Sequence, residues 1–207
     1  DDGRYLAVDN VHSYLTDQNQ PEIWANRAEV HGIRDARGYY PICLRWFGQF
    51  VNALSGWEID ELQGGQLFVG PPLDTRLLPP ANVKYVLSYP LGVYPSLRTV
   101  KQFDFGLMIY ETPRRLGPAW LADAVELGNA TDAESFAQLK SAAIDFAEEA
   151  VVIGLLPKAD VARNTETTGT IRSFHRPSPN RFQIDIDPGR RNLLVISEVY
   201  HPGWRAR

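Results

Sequence analysis

The chain has 207 residues, 44% of them hydrophobic and 22% charged, a composition that is typical of globular proteins and excludes disordered and fibrous ones. A chain of this length can bury a core without disulfides, and its single cysteine cannot form an internal bridge. The net charge of −4 argues against a nucleic-acid-binding protein.

Strand and helix patterns alternate in the first third of the chain. Residues 4–8 have the pattern of an opening strand. A short helix is predicted from Glu22 to Glu29, because the preceding Pro21 suits the start of a helix. A longer helix is predicted from Pro41 to Leu54 and ends before Gly56, a suitable cap. Side chains suited to a core recur in it every three or four residues: Cys43, Trp46, Phe47, Phe50, Val51 and Leu54. We expect this second helix to belong to the core.

Two strands and another helix are predicted next. The strands are Val83–Ser88 and Phe105–Tyr110. Thr131 and Glu134 have the spacing of a capping box, which predicts a helix from Ala133 to Ala150. The apolar face of that helix is predicted to consist of Phe136, Leu139, Ala143, Phe146 and Ala150.

Beyond Pro157 the pattern becomes that of an antiparallel sheet. Apolar and polar residues alternate strictly from Arg181 to Asp187, as in a strand buried on one face. The Pro188-Gly189 turn leads to a predicted return strand, Leu193–Val199, and Gly169–Phe174 is predicted to pair as well. The sequence therefore predicts an α+β fold. Residues 1–156 form a mixed α/β portion, and residues 157–207 begin an antiparallel, sandwich-like β-sheet portion that is truncated at the C-terminus.

The ends of the chain and its charge distribution suggest a fragment of a larger protein. The chain opens on Asp1-Asp2 and stops just after a strand-like run, so we expect both ends to be cuts inside a longer polypeptide. It holds no apolar run near the about 20 residues that span a bilayer. Residues 1–150 hold 12 Lys and Arg against 20 Asp and Glu, whereas residues 151–207 hold 9 against 5. The basic end either reflects ordinary scatter or faces anionic lipid headgroups.

Motifs for catalysis or metal binding are missing from the sequence. It contains no phosphate-binding glycine loop, nucleophile elbow or zinc-binding helix motif, and its four histidines lack metal-ligand spacing. We predict no catalytic residue, no metal and no cofactor. Asp185 and Asp187 emerge on one face of a strand, where they either bind calcium, act as an acid–base pair, or form its solvent side. The alternation of residues 181–187 favours the solvent side.

Two aromatic segments, residues 37–41 and 200–204, are candidates for a ligand-facing surface. Tyr and Trp rings stack on sugars and suit membrane interfaces, although they are also common in cores. The candidate residues for contact with a glycan or lipid are Arg37, Tyr39, Tyr40, Tyr200, His201 and Trp204.

Both segments, together with a third between them, resemble the YfhO-type family of bacterial multi-spanning membrane proteins. Residues 26–41 resemble the family's passage with Asn, Gly-Ile and Gly-Tyr-Asp-Pro, with Tyr40 in place of the acidic residue. Residues 82–88 are similar to its Asn-Val-Lys/Arg-Tyr strand. Residues 193–204 resemble its Leu-Val-x-Ser-Glu-x-Tyr-Tyr-Pro-Gly-Trp run, with His201 in place of the second Tyr. The three segments keep the family's order.

The resemblance implies a C-type glycosyltransferase-like protein that acts on cell-envelope polymers. In such proteins a many-helix membrane part, which carries the catalytic acid, takes sugar from a polyprenyl-phosphate carrier. This chain is then a non-catalytic domain on the extracytoplasmic side of the cell membrane. Its implied partners are the transmembrane part of the same polypeptide and an envelope glycan or polyprenyl-phosphate sugar.

Two other hypotheses stay open. In the first, the chain is a module that binds an envelope glycan or a partner protein and transfers no sugar. In the second, it is a free-standing hydrolase that uses Asp185 and Asp187.

Overall fold

The residues that the computed structural model describes form a sheet-rich α+β fold, which confirms the predicted α+β class. Those residues are 3–8, 32–36, 45–55, 69–70, 72–88, 94–104, 106–126, 130–141, 143–152, 167–178, 180–191, 193–199 and 202–207. The chain divides into two compact units, residues 1–115 with 199–207, and residues 116–198. The helix predicted at Glu22–Glu29 lies outside the described residues. The segment around residue 156, the predicted boundary between the two portions, also lies outside the described residues, so that boundary stays a prediction.

The first unit contains a four-stranded mixed sheet in the order β1-β2-β4-β3. Its strands are β1 (Arg4–Ala7), β2 (Val83–Ser88), β3 (Arg98–Gln102) and β4 (Met108–Glu111). β1 runs parallel to β2, and the two other pairs are antiparallel. The predicted strands at residues 4–8 and Val83–Ser88 are therefore confirmed.

The strand predicted from residue 105 starts later, at Met108. A turn precedes it, in which the Gly106 N–H donates to the Phe103 carbonyl at 2.9 Å and Gly106 has a φ of 91°; Phe105 lies outside the described residues. Glycine adopts this left-handed conformation without the steric cost that a side chain brings. The turn lets β3 and β4 form a hairpin.

Helix α1 (Arg45–Leu54) confirms the C-terminal part of the helix predicted from Pro41; residues 41–44 lie outside the described residues. Val51, Ala53 and Leu54 are buried, as predicted for a core helix. The Leu54 carbonyl accepts a hydrogen bond from the Asp74 N–H at 2.8 Å, which fastens the end of the helix to the segment before β2. Trp46, in contrast, is 52% exposed, so its predicted place in the core is wrong.

The second unit contains two sheets. Strands β6 (Glu149–Val152), β5 (Ala119–Glu126) and β9 (Leu193–Ile196) form a mixed sheet in that order, with β6 parallel and β9 antiparallel to β5. Strands β7 (Thr170–Ser178) and β8 (Arg181–Asp187) form an antiparallel hairpin, which confirms the pairing predicted for these two segments.

The predicted return strand after Pro188-Gly189 has a different partner. It is shorter than predicted, ends at Ile196, and pairs with β5 instead of β8. The reason lies at the turn, where the Arg190 N–H donates to the Thr167 carbonyl at 2.8 Å and the chain crosses the start of β7. The Arg191 guanidinium then donates to the Leu121 carbonyl at 2.9 Å and pairs with Glu148, which directs the following strand onto β5.

The helix predicted from Ala133 to Ala150 is correct at its start and wrong at its end. Helix α2 spans Asp132–Lys140, and the capping box of Thr131 and Glu134 is present. The helix ends because Ser141 is extended, with φ −61° and ψ 131°. Asp145 then caps a turn by accepting from the Ala147 N–H at 3.0 Å, and residues 149–152 form β6. Ala143, Phe146 and Ala150 therefore lie beyond the helix.

Candidate functional site

The predicted aromatic surface is represented in the described residues by Trp204. Its side chain is half-buried, and its indole N–H donates to the Val199 carbonyl at 3.3 Å. Arg205 donates to the carbonyl of Pro202 at 2.7 Å and to that of Trp204 at 3.0 Å. These bonds fix the indole in a local loop. The other five candidates, which lie outside the described residues, are Arg37, Tyr39, Tyr40, Tyr200 and His201.

The segment that begins at Asn82, the second of those that carry the family resemblance, has a structural role. Asn82 is buried and has a φ of 54°, a left-handed conformation that asparagine tolerates better than most residues. Its N–H donates to the Pro79 carbonyl at 3.0 Å, and its own carbonyl accepts from the Arg4 N–H at 2.9 Å. Val83 follows as a fully buried residue of β2. Asn82 thus turns the chain into β2 and joins it to β1.

The segment that begins at Leu193, the third of those that carry the family resemblance, also has a structural role. β9 continues into Ser197, whose N–H donates to the Pro118 carbonyl at 2.9 Å and extends the pairing with β5. The next residue, Glu198, accepts from the Arg176 guanidinium at 2.9 Å. Both side chains are mostly buried, with exposures of 25% for Arg176 and 22% for Glu198. This ion pair connects the end of β9 to β7.

The two aspartates of β8 have different surroundings. The Arg172 guanidinium pairs with Asp187 through two hydrogen bonds, one of them 2.6 Å from Nε. The hydrogen bond to Asp187, more than its charge, raises the pKa of Arg172 above the usual value. Asp185 is exposed and lies opposite Ser173 on β7. An arginine-paired Asp187 fits the solvent-side interpretation better than it fits an acid–base pair.

Near its turn, the β7–β8 hairpin brings aromatic and basic side chains together. The rings of Phe174 and Phe182 lie 5.6 Å apart at an interplanar angle of 35°. The Arg176 guanidinium lies 5.0 Å from the centre of the Phe182 ring, within the range of a cation–π interaction. Both rings are half-buried, and Arg181 at the turn is exposed. This arrangement can present positive charge beside apolar surface.

Comparison with known proteins adds no relative. No protein-family model, curated protein or solved structure matches the chain.

Two further features bear on function within the described part of the chain. No group of three or more His, Cys, Asp or Glu side chains there is placed to hold a metal ion. None of the helices there is long and apolar enough to cross a bilayer.

The aromatic–basic cluster of the hairpin was not predicted as a site from the sequence. The alternation of residues 181–187 places Phe182 on the apolar face, but Phe174 and Arg176 come from another strand. Their contact with Phe182 depends on a register that shifts between Ile171 and Ser173 and again between His175 and Ser178. A sequence pattern has no signal for such shifts. The spacing of two arginines and two phenylalanines around a Pro-Ser-Pro-Asn turn is the one available hint.

Proposed function

We propose that the chain is the non-catalytic extracytoplasmic domain of a polytopic bacterial membrane protein. The whole protein is a glycosyltransferase-like protein that acts on cell-envelope polymers with a polyprenyl-phosphate sugar donor. The proposal is carried by the ordered resemblance of residues 26–41, 82–88 and 193–204 to the passages of the YfhO-type family.

The positions of the second and third segments support a role without chemistry. Asn82 turns the chain into β2, and the residues from Leu193 onward form β9 and its connection to β7. These residues form a turn, a strand and an ion pair, and such structural roles are enough to account for the resemblance of the two segments to the family. A resemblance that rests on the fold agrees with a domain whose chemistry lies elsewhere in the polypeptide.

The ligand-facing surface within this proposal consists of the two aromatic segments. Trp204 is held by its indole N–H, which leaves the ring in a fixed orientation. Fixed aromatic rings suit stacking on a sugar because little side-chain entropy is lost on binding. We propose that an envelope glycan or the sugar of a polyprenyl-phosphate donor contacts this surface, and that the transmembrane part of the same polypeptide lies next to it.

The location is tested by labelling cysteines in the full-length protein in intact cells. The native Cys43 is replaced by serine, and Val100→Cys introduces one thiol on β3, where the valine is 49% exposed. A membrane-impermeant maleimide is expected to label this variant in intact cells as completely as in lysed cells. Labelling that requires lysis would overturn the extracytoplasmic location.

A buried position in the same sheet supplies the control. Val86 on β2 is fully buried, so Val86→Cys is expected to resist the reagent until the protein is denatured. Rapid labelling of both variants would indicate an unfolded protein, and the experiment is then repeated with Thr99→Cys, an exposed position on β3.

A further inference from the structure

We propose that the tip of the β7–β8 hairpin, residues 174–178 and 180–182, binds the surface of an anionic phospholipid membrane. The inference rests on the proposed function in one respect, since a domain tethered beside a membrane needs only weak additional attraction to it.

Charge is distributed unevenly along the hairpin. The tip holds Arg176 and Arg181 and no Asp or Glu. The acidic residues of β8, Asp185 and Asp187, lie toward the base, and Asp187 is paired with Arg172. Because charges are screened beyond about 8 Å at physiological salt, a surface that meets the tip experiences the local positive charge more than the net charge of the chain.

Apolar side chains lie directly beside this charge. Phe174 and Phe182 form a ring pair, and Ile184 lies opposite Phe174 in the register, so the three share one face of the hairpin. All three are half-buried. Phe and Ile have no polar edge with which to bind sugar hydroxyls, whereas basic residues beside Phe are typical of segments that lie at the boundary of headgroups and acyl chains. The residue types therefore favour lipid over glycan.

The turn end of the hairpin lies away from the base at which the hairpin joins β5, although Arg176 also contacts Glu198 of the same unit. The base is fixed where Gly169 approaches Leu121 of β5 and the backbone of Gly189. Four residues of β7, 170–173, and six residues after Phe182, 183–188, separate this base from the tip, a distance of about 15–20 Å along the strands. Ser178, Asn180 and Arg181 are exposed, so a surface can meet these residues at the turn end.

The acidic group that faces the tip limits the strength of binding. Glu198 accepts from Arg176 at 2.9 Å, so one of the two arginines is compensated. Arg181 remains as the exposed positive charge. Each basic residue near an anionic membrane contributes a modest attraction, and tethering raises the effective concentration enough for such an attraction to matter.

The test measures co-sedimentation of the 207-residue chain with a large excess of vesicles, so that a high lipid concentration replaces the tether. One set contains phosphatidylcholine alone, and the other contains equal parts of phosphatidylcholine and phosphatidylglycerol. The chain is expected to bind the anionic set at low salt and to be released as salt rises. The net charge of −4 repels anionic vesicles as a whole, so binding requires a local basic site.

Two charge reversals identify that site. Arg181→Glu is expected to lower the partition coefficient at least about tenfold, because it changes two charges at the tip. Arg190→Glu makes the same change at an exposed position at the base of the hairpin and is expected to lower it less than about threefold. Circular dichroism verifies that both variants keep the fold.

Three results would overturn the proposal. These are equal binding to the two sets of vesicles, equal loss in the two variants, and binding to a soluble polyanionic glycan without binding to anionic vesicles. The last result assigns the tip to an envelope polymer. None of them affects the cysteine-labelling result, so failure of this inference is distinct from failure of the proposed function.

Discussion

At the scale of single residues, two glycines determine how the base of the β7–β8 hairpin is built. Gly169 has a φ of 81°, and the backbone of Gly189 passes directly against it. A Cβ atom on Gly189 would lie 2.1 Å from the Gly169 nitrogen and 2.5 Å from the Thr167 oxygen. These atoms belong to the backbone and cannot rotate away. The sequence predicts the Pro188-Gly189 turn, but the partner twenty residues earlier follows only from the fold.

We therefore expect Gly189→Ala to destabilise the protein strongly. Separating the two backbones is expected to lower the free energy of unfolding by about 2–3 kcal/mol, as for overpacked sites. Gly117→Ala is the control for a glycine without a close approach: its φ is 81°, the value of Gly169 and not of Gly189, and the nearest atom to its Cβ would be the Ala119 oxygen at 3.8 Å. That variant is expected to lose only about 1 kcal/mol for the left-handed backbone. Urea unfolding measures both, and equal losses would contradict the close approach.

At the scale of elements, the start of α2 was predictable from the sequence and its end was not. A capping box depends on side chains three residues apart, which a sequence displays directly. The end depends on Ser141 leaving the helical conformation and on residues 149–152 pairing with β5. Ala150 continues the helical spacing of apolar residues, but the β-branched Val151 and Val152 that follow it pair with Val125 and Glu126 of β5, a setting in which β-branched residues pack well. Whether residues 149–152 extend the helix or form a strand therefore depends on pairing with a distant strand, which a local sequence pattern does not display.

The cap of α2 also predicts a dependence of stability on pH. The Glu134 carboxylate accepts from the Thr131 N–H at 2.7 Å, and this backbone hydrogen bond is the main cause of its lowered pKa. Because the folded pKa is lower than the ordinary glutamate value of about 4.3, the stabilisation is complete at higher pH and is lost as pH falls through the folded pKa. Glu134→Gln removes this titration. The difference in unfolding free energy between wild type and Glu134→Gln is expected to be largest near neutral pH and to shrink below about pH 4.

Urea titrations from pH 3 to 7 measure this difference. Asp185→Asn, which removes one exposed negative charge from the second unit outside any helix cap, controls for the general effect of charge. A difference that is constant across the range would show that the carboxylate does not stabilise the helix.

At the scale of the whole molecule, the sequence predicts the α+β class, several strands and the pairing of β7 with β8, but not the partner of β9. β9 follows a hairpin turn signal and yet pairs with β5, because Arg191 donates to the Leu121 carbonyl and leads the chain there. Of the candidate surface, Trp204 is placed within a local loop, and the aromatic–basic cluster at the hairpin tip was not predicted. Local patterns are visible in a sequence, whereas partners that meet across a sheet depend on register.

The proposed function places the catalytic residues of the full-length protein outside this domain, so the two carboxylates of β8 should not take part in sugar transfer. If the proposed function holds, Asp185→Asn with Asp187→Asn leaves sugar transfer by the full-length protein nearly unchanged. Removal of an acid–base residue would instead lower the rate by about 10²- to 10⁴-fold. Arg172→Gln is the matched control, since it breaks the ion pair with Asp187 and keeps both carboxylates. A large loss in the double variant but not in Arg172→Gln would assign chemistry to the carboxylates and contradict the non-catalytic role of this domain. Glycan binding by the full-length protein without transfer would instead favour a binding module.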